Sequence, residues 1–235
     1  MSNSIEVKKR YEIRKDAEII SADISSHNNL SVLYKTSNGR MKILFNQKEF
    51  DVPSYLNADF VRWYDESHLL VVSARTRNPT VVENGLLLDS RGKIVSKFKL
   101  GDAISNIDVD INGHLWIGYF DEGIFGEDPL ANEGLVSLSK DGEVLFKFHS
   151  SIDSTKRYPI DDCYMLNIDN ENQCVWACYY REFPLIKLDL TGRVVDNLSK
   201  LPPALCGGMA LGKSVKEEIF FILNSYSHKD SLIEY

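Results

Sequence analysis

Three aspartates and an asparagine head short apolar segments that recur along this chain: Asp23, Asp59, Asn106 and Asp162. They stand in Ala22-Asp23-Ile24, Ala58-Asp59-Phe60, Ser105-Asn106-Ile107 and Asp161-Asp162-Cys163, and a fifth segment, Gly207-Gly208-Met209, has no side chain at that place. Carboxylates gathered at one mouth can bind a cation or a small ligand such as a sugar. They can also divide the acid and base roles of glycoside hydrolysis, which needs two carboxyls at a set separation. The plainer alternative is that each Asp accepts backbone N–H bonds from its own turn, a common use of Asp.

A second group is built for contact rather than reaction. The segment DEGIFGEDPLANE carries Asp121, Glu122, Glu127, Asp128 and Glu133 around the apolar Ile124 and Phe125. An acidic loop with an apolar tip suits a protein partner, because charge steers the encounter and an aromatic anchors it. The Asp-x-Asp-x-Asp-Gly spacing of a calcium loop is absent. Arg157 and Tyr158, and further on Tyr180, Arg181 and Phe183, add the arginine and aromatic content typical of protein interfaces.

Other chemistry has no footing. No Gly-x-Ser-x-Gly and no phosphate-binding glycine loop occurs. Cys174 and Cys178 form one close pair with no second pair to complete a zinc site, so the four cysteines read as buried thiols. His27, His68 and His114 fall in equivalent turns of different repeats, too far apart for one metal. The expectation is therefore no catalytic residue, no metal and no cofactor.

What must position these residues is a repeat, which is sought before any other pattern. A polar turn followed by an apolar strand recurs at Leu30–Tyr34, Leu69–Val72, Leu115–Tyr119, Val175–Tyr179 and Ile219–Ile222. A second hairpin follows several of these: LLLDSRGKIVSKF, LVSLSKDGEVLFKF and IKLDLTGRVVDNL, with Gly92, Gly142 and Gly192 fifty residues apart. A glycine between two alternating strands marks a turn that wants positive φ. Two hairpins per repeat make four strands, and five repeats share 235 residues at 47 each, close to the ~40–50 residues of a propeller blade. The expected fold is all-β: a single domain over residues 1–235, a five-bladed β-propeller in which Ile5–Ile13 supplies the missing strand of the last blade. A β-sandwich or an open β-repeat array is the alternative. In a propeller the long loops, Thr76–Asn84, Asp121–Glu133 and Tyr180–Pro184 with the inter-blade segments, share one face, and long loops on a rigid scaffold usually carry binding.

The third repeat, NGHLWIGYFDEG with EGLVSLSKDGEVLFKF, resembles the propeller repeats of sensor domains in two-component regulators. Gly113, Leu115, Trp116, Ile117, Gly118, Gly134, Leu135, Asp141 and Gly142 carry the likeness. The resemblance implies the fold and not a function, since propellers host many unrelated functions.

Net charge −7 and pI ≈ 5.3 argue against a nucleic-acid partner, which calls for a basic field. No apolar run approaches the ~18 residues of a membrane span, which places the chain in the cytoplasm with no membrane partner. These features together predict a non-catalytic, protein-binding propeller, in the style of an inhibitor or immunity-type protein against a basic target. The alternative is a carbohydrate-active or small-ligand propeller working through the aspartate ring.

Overall fold

The structure, a computed structural model, describes residues 17–76, 83–151, 159–198, 201, 208–213, 220–224 and 231–234. The proposed closing strand at 5–13, and with it Arg157 and Tyr158, lies outside the described residues. Among these described residues nineteen strands fall into five antiparallel sheets, each a simple meander. The first sheet holds β1 (Glu18–Ile24), β2 (Leu30–Lys35), β3 (Met41–Phe45) and β4 (Lys48–Asp51). The second holds β5 (Phe60–Asp65), β6 (His68–Val72), β7 (Gly85–Asp89) and β8 (Ile94–Phe98). The third holds β9 (Ile104–Val109), β10 (Leu115–Tyr119), β11 (Leu135–Leu138) and β12 (Val144–Lys147). The short helices α1 (Asp121–Ile124) and α2 (Phe148–Ser151) belong to this third repeat. The fourth sheet holds β13 (Asp162–Asp169), β14 (Cys174–Tyr180), β15 (Leu185–Asp189) and β16 (Val194–Leu198). The fifth has three described strands, β17 (Gly208–Lys213), β18 (Phe220–Asn224) and β19 (Ser231–Glu234).

First strands pack in sequence, β1 on β5, β5 on β9, β9 on β13 and β13 on β17. In the first four sheets burial falls off from the second strand outwards. The second strands are buried almost throughout, LWIGY and the CVWACY of β14 completely, whereas the fourth strands alternate or face solvent. A strand covered on both faces by neighbouring sheets reads as an unbroken apolar run, and one covered on a single face alternates.

The glycines fifty residues apart do two jobs. Gly92, Gly142 and Gly192 have φ of 76°, 83° and 86°, as a tight hairpin requires. Gly92 and Gly192 also leave room for an aromatic ring from the sheet before. A Cβ on Gly92 would stand 2.2 Å from Phe50 of β4, and one on Gly192 2.1 Å from Phe146 of β12. Neighbouring sheets thus lock ring-into-glycine. Cys163, Cys174 and Cys178 are buried and form no disulfide. No helix among the described residues is long and apolar enough to cross a membrane.

Candidate functional site

The four residues expected to ring one mouth do not share a register position. Asp23 sits near the end of β1, facing Ser31 of β2, whereas Asp162 begins β13 and faces Tyr180 at the far end of β14. Asp59 precedes β5, and Asn106 is third in β9, facing Gly118. The correction has a physical cause. Each first strand carries a bulge, between Ile19 and Ser21, Trp63 and Asp65, opposite Gly118–Tyr119, and between Cys163 and Met165. A bulge shifts the count by one residue; the larger cause is where the strands lie, since Asp23 is the sixth residue of β1, one pair from its last, whereas Asp162 opens β13, six pairs from its last. Three of the four are spent on backbone. Asp23 accepts from Trp63 N at 2.7 Å and Ile24 N at 2.9 Å. Asp59 accepts from Ala74 N at 2.7 Å. The Asn106 amide donates to the carbonyls of Cys163 at 3.0 Å and Tyr164 at 3.3 Å.

Counting from the turn instead reveals a different set. One pair in from Ile24–Leu30, Trp63–Leu69, Val109–Leu115 and Ile168–Val175 stand Asp23, Arg62, Asp108 and Asn167. The first three of these reach the next sheet. Asp23 takes the Trp63 N–H, Arg62 Nε donates to Ile107 O at 2.8 Å, and Asp108 accepts from Ile168 N. Burial pushes Asp108 up to about 6, against the pull of the Arg62 guanidinium and the Val109 N–H, with the Asp23 charge adding to the rise. Burial also raises Asp23, opposed by the Trp63 N–H and Arg62. This set staples the inner strands together. Sequence reasoning missed Arg62 and Asp108; the signal was the offset from the apolar residue that opens each second strand.

Asp162 is different. It is half-buried, accepts no hydrogen bond from any described residue, and is pushed up to about 6 by burial and by the charge of Asp121. Helix α1 packs on β13 and brings that charge close. The surroundings form a mixed patch. Asp121, Glu122 and Glu127 are exposed, and Phe125, the C-cap of α1, is 70% exposed. Beside them Tyr180, 44% exposed, meets Phe183 at 5.7 Å, and Phe183 meets Tyr164 at 5.5 Å. Arg181 pairs with Asp161 at 2.9 Å. Arg75 pairs with Glu122 and lies 4.2 Å over the Phe120 ring. The two described arginines are therefore neutralised by acids in place, and Asp121, Glu127 and Asp162 are left to set the sign of the surface.

Two residues expected to be at this surface are not. Ile124 is 6% exposed and packs into the core beneath α1. Asp128 is 5% exposed; its Oδ1 accepts from Leu130 N at 2.9 Å and Ala131 N at 3.3 Å, capping the turn that follows. Each is spent on holding the loop. A four-residue helix has one inward face, so Ile124 goes in and Phe125 stays out. Asn132 ties the loop down, donating to Ile124 O at 2.8 Å and Gly126 O at 3.0 Å. The histidines are dispersed as expected: His27 pairs with Glu66, His68 with Asp65 and His114 with Asp110. Among the described residues no group of three His, Cys, Asp or Glu side chains has the geometry of a metal site.

Against known proteins, no family model matches this chain and no curated protein matches it in sequence. Solved structures do match, 477 chains in all, a breadth that speaks for a widely used scaffold. A protein of unknown function from Bacteroides caccae is 14% identical, with TM-score 0.58, over 97% of this chain and 81% of its own. A catalytically inactive virginiamycin B lyase from Staphylococcus aureus, solved with quinupristin, is 10% identical, with TM-score 0.58, over 94% of this chain and 70% of its own. Hydrazine synthase of Kuenenia stuttgartiensis is 12% identical, with TM-score 0.59, over 92% of this chain, which spans 58% of that longer one. At such identity the likeness reaches the fold alone: a propeller-like repeat of four-stranded antiparallel sheets.

Proposed function

We propose that this protein is a non-catalytic, five-bladed β-propeller, closed by residues 5–13 as the fourth strand of the last blade, that grips a basic protein partner with its long-loop face. The run of first-strand contacts from β1 to β17 supports the ring, and the fifth sheet with three described strands leaves a place for the closing one. One observation carries the function: Phe125 stands 70% exposed on a loop that is otherwise tied down by Asn132, Asp128 and the buried Ile124. A large aromatic held out on an ordered support is what an interface anchor needs, because little conformational freedom is lost on binding. The acidic surround of Asp121, Glu127 and Asp162 complements a basic partner and speeds its approach. Small, acidic and without a catalytic motif, the chain suits an inhibitor or immunity-type role.

The test compares partners retained from native extract by the wild type, by Phe125→Ser and by Tyr55→Ser, which lies outside this patch. One basic protein held by the wild type and by Tyr55→Ser, and weakened about thirtyfold in the Phe125 variant, supports the reading; that factor is the ~2 kcal/mol of an anchor residue. Retention of the same proteins at the same strength by all three refutes it. The aspartate ring gains no support as a catalytic or ligand site, since its members stand at different depths and three are bound to backbone.

A further inference from the structure

A cavity of about 800 Å³ opens between the first two sheets, walled by the turn before β3, the β4–β5 loop and the residues after β6. Its base is apolar, with Val52 and Leu56 buried. Its wall is polar: Asp51, Ser73, Arg75 and Asn84 are engaged with neighbours, and four further polar side chains are idle. Arg40 is exposed, and its guanidinium makes no ion pair or hydrogen bond with any described residue. The side chains of Ser54 and Asn57 are likewise unengaged among the described residues, and the Thr76 hydroxyl is buried without a partner. Tyr55 is 63% exposed on the same wall. On the opposite wall Asn84 is used internally, making three hydrogen bonds, to Ser73, Leu100 and Gly101.

We propose that this cavity binds a small sugar acid, a hydroxylated ring bearing one carboxylate. The guanidinium meets the carboxylate, the strongest pairing available to it. Ser54, Asn57 and Thr76 supply hydrogen bonds to ring hydroxyls, and Tyr55 covers the apolar face of the ring. A few placed polar groups over an apolar base, in a volume of this size, is the usual composition of a small-molecule site. The five residues of this site lie outside the Phe125 patch, which it adjoins at Arg75, a lining residue paired with Glu122.

The experiment titrates the full chain with glucuronate, galacturonate, glucose and benzoate, each to 20 mM, followed by backbone amide shifts. Expected are saturable shifts at residues 39–41 and 54–57 with either uronate. Arg40→Met should weaken uronate binding about tenfold and leave glucose unchanged. Arg40 is exposed in a turn, so the variant folds, and its unperturbed amide spectrum outside the cavity verifies this. No shift with either uronate, or the same affinity in Arg40→Met, overturns the proposal. Benzoate binding without uronate binding overturns the sugar assignment.

Discussion

Asp108→Asn tests whether the inner-strand staple is read correctly. Burial pushes the Asp108 carboxyl up to about 6 from an ordinary 3.8 even with Arg62 pulling it down. Its folded pKa therefore lies above its unfolded one, and the folded state binds the proton more tightly. The stability this carboxyl supports is complete below about pH 4 and is lost as pH rises through 6. A shift of about two units, at ~1.4 kcal/mol each, makes that loss about 3 kcal/mol. The residue's residual solvent contact makes this an upper value. Asparagine keeps an oxygen to accept from Val109 N and Ile168 N but has no proton to lose. Urea unfolding at intervals from pH 4 to 8 gives the stability of each protein, and subtraction cancels the titrating groups that are not coupled to Asp108, Asp23 being the coupled one. The difference, Asn variant minus wild type, should rise by about 2–3 kcal/mol across that range, steepest between pH 5 and 6. A flat difference would mean that the Asp108 carboxyl does not carry the burial that raises it, and the buried staple would have to be abandoned.

The ring-into-glycine contact makes a paired prediction. Gly192→Ala forces a Cβ into the Phe146 ring at positive φ and should cost about 2–4 kcal/mol by chemical denaturation, whereas Gly39→Ala, at φ 81° with open space around it, should cost only ~1–2 kcal/mol; equal costs would remove the packing role. Asp121→Asn takes away the charge beside Asp162, so a carboxyl NMR titration should find the Asp162 midpoint lowered from about 6; an unmoved midpoint would separate α1 from β13. Deleting residues 1–13 should lower the thermal midpoint by well over 5 °C if they close the last sheet, and an unchanged midpoint would refute that closure.

The sequence by itself determined the class and the repeat. Leu30, Leu69, Leu115 and Val175 open apolar runs that became β2, β6, β10 and β14, and the hairpin glycines adopt positive φ. These are local facts, decided by alternation and by which residue tolerates a left-handed turn. The acidic loop around Phe125 was also legible, because an aromatic among carboxylates has few local reasons to be there. Tertiary structure decided what locality cannot. Where each first strand starts and turns sets the depth of its side chains, so Asp23, at the turn end of β1, stands with Arg62 and Asp108 and not with Asp162, at the opposite end of β13. Packing of α1 against its neighbours, β13 of the next sheet among them, chose Ile124 for the core and left Phe125 outside. The cavity at Arg40 and Tyr55 joins three segments from two sheets. No periodicity along the chain records such a meeting, because only the stacking of one sheet against the next brings those segments together.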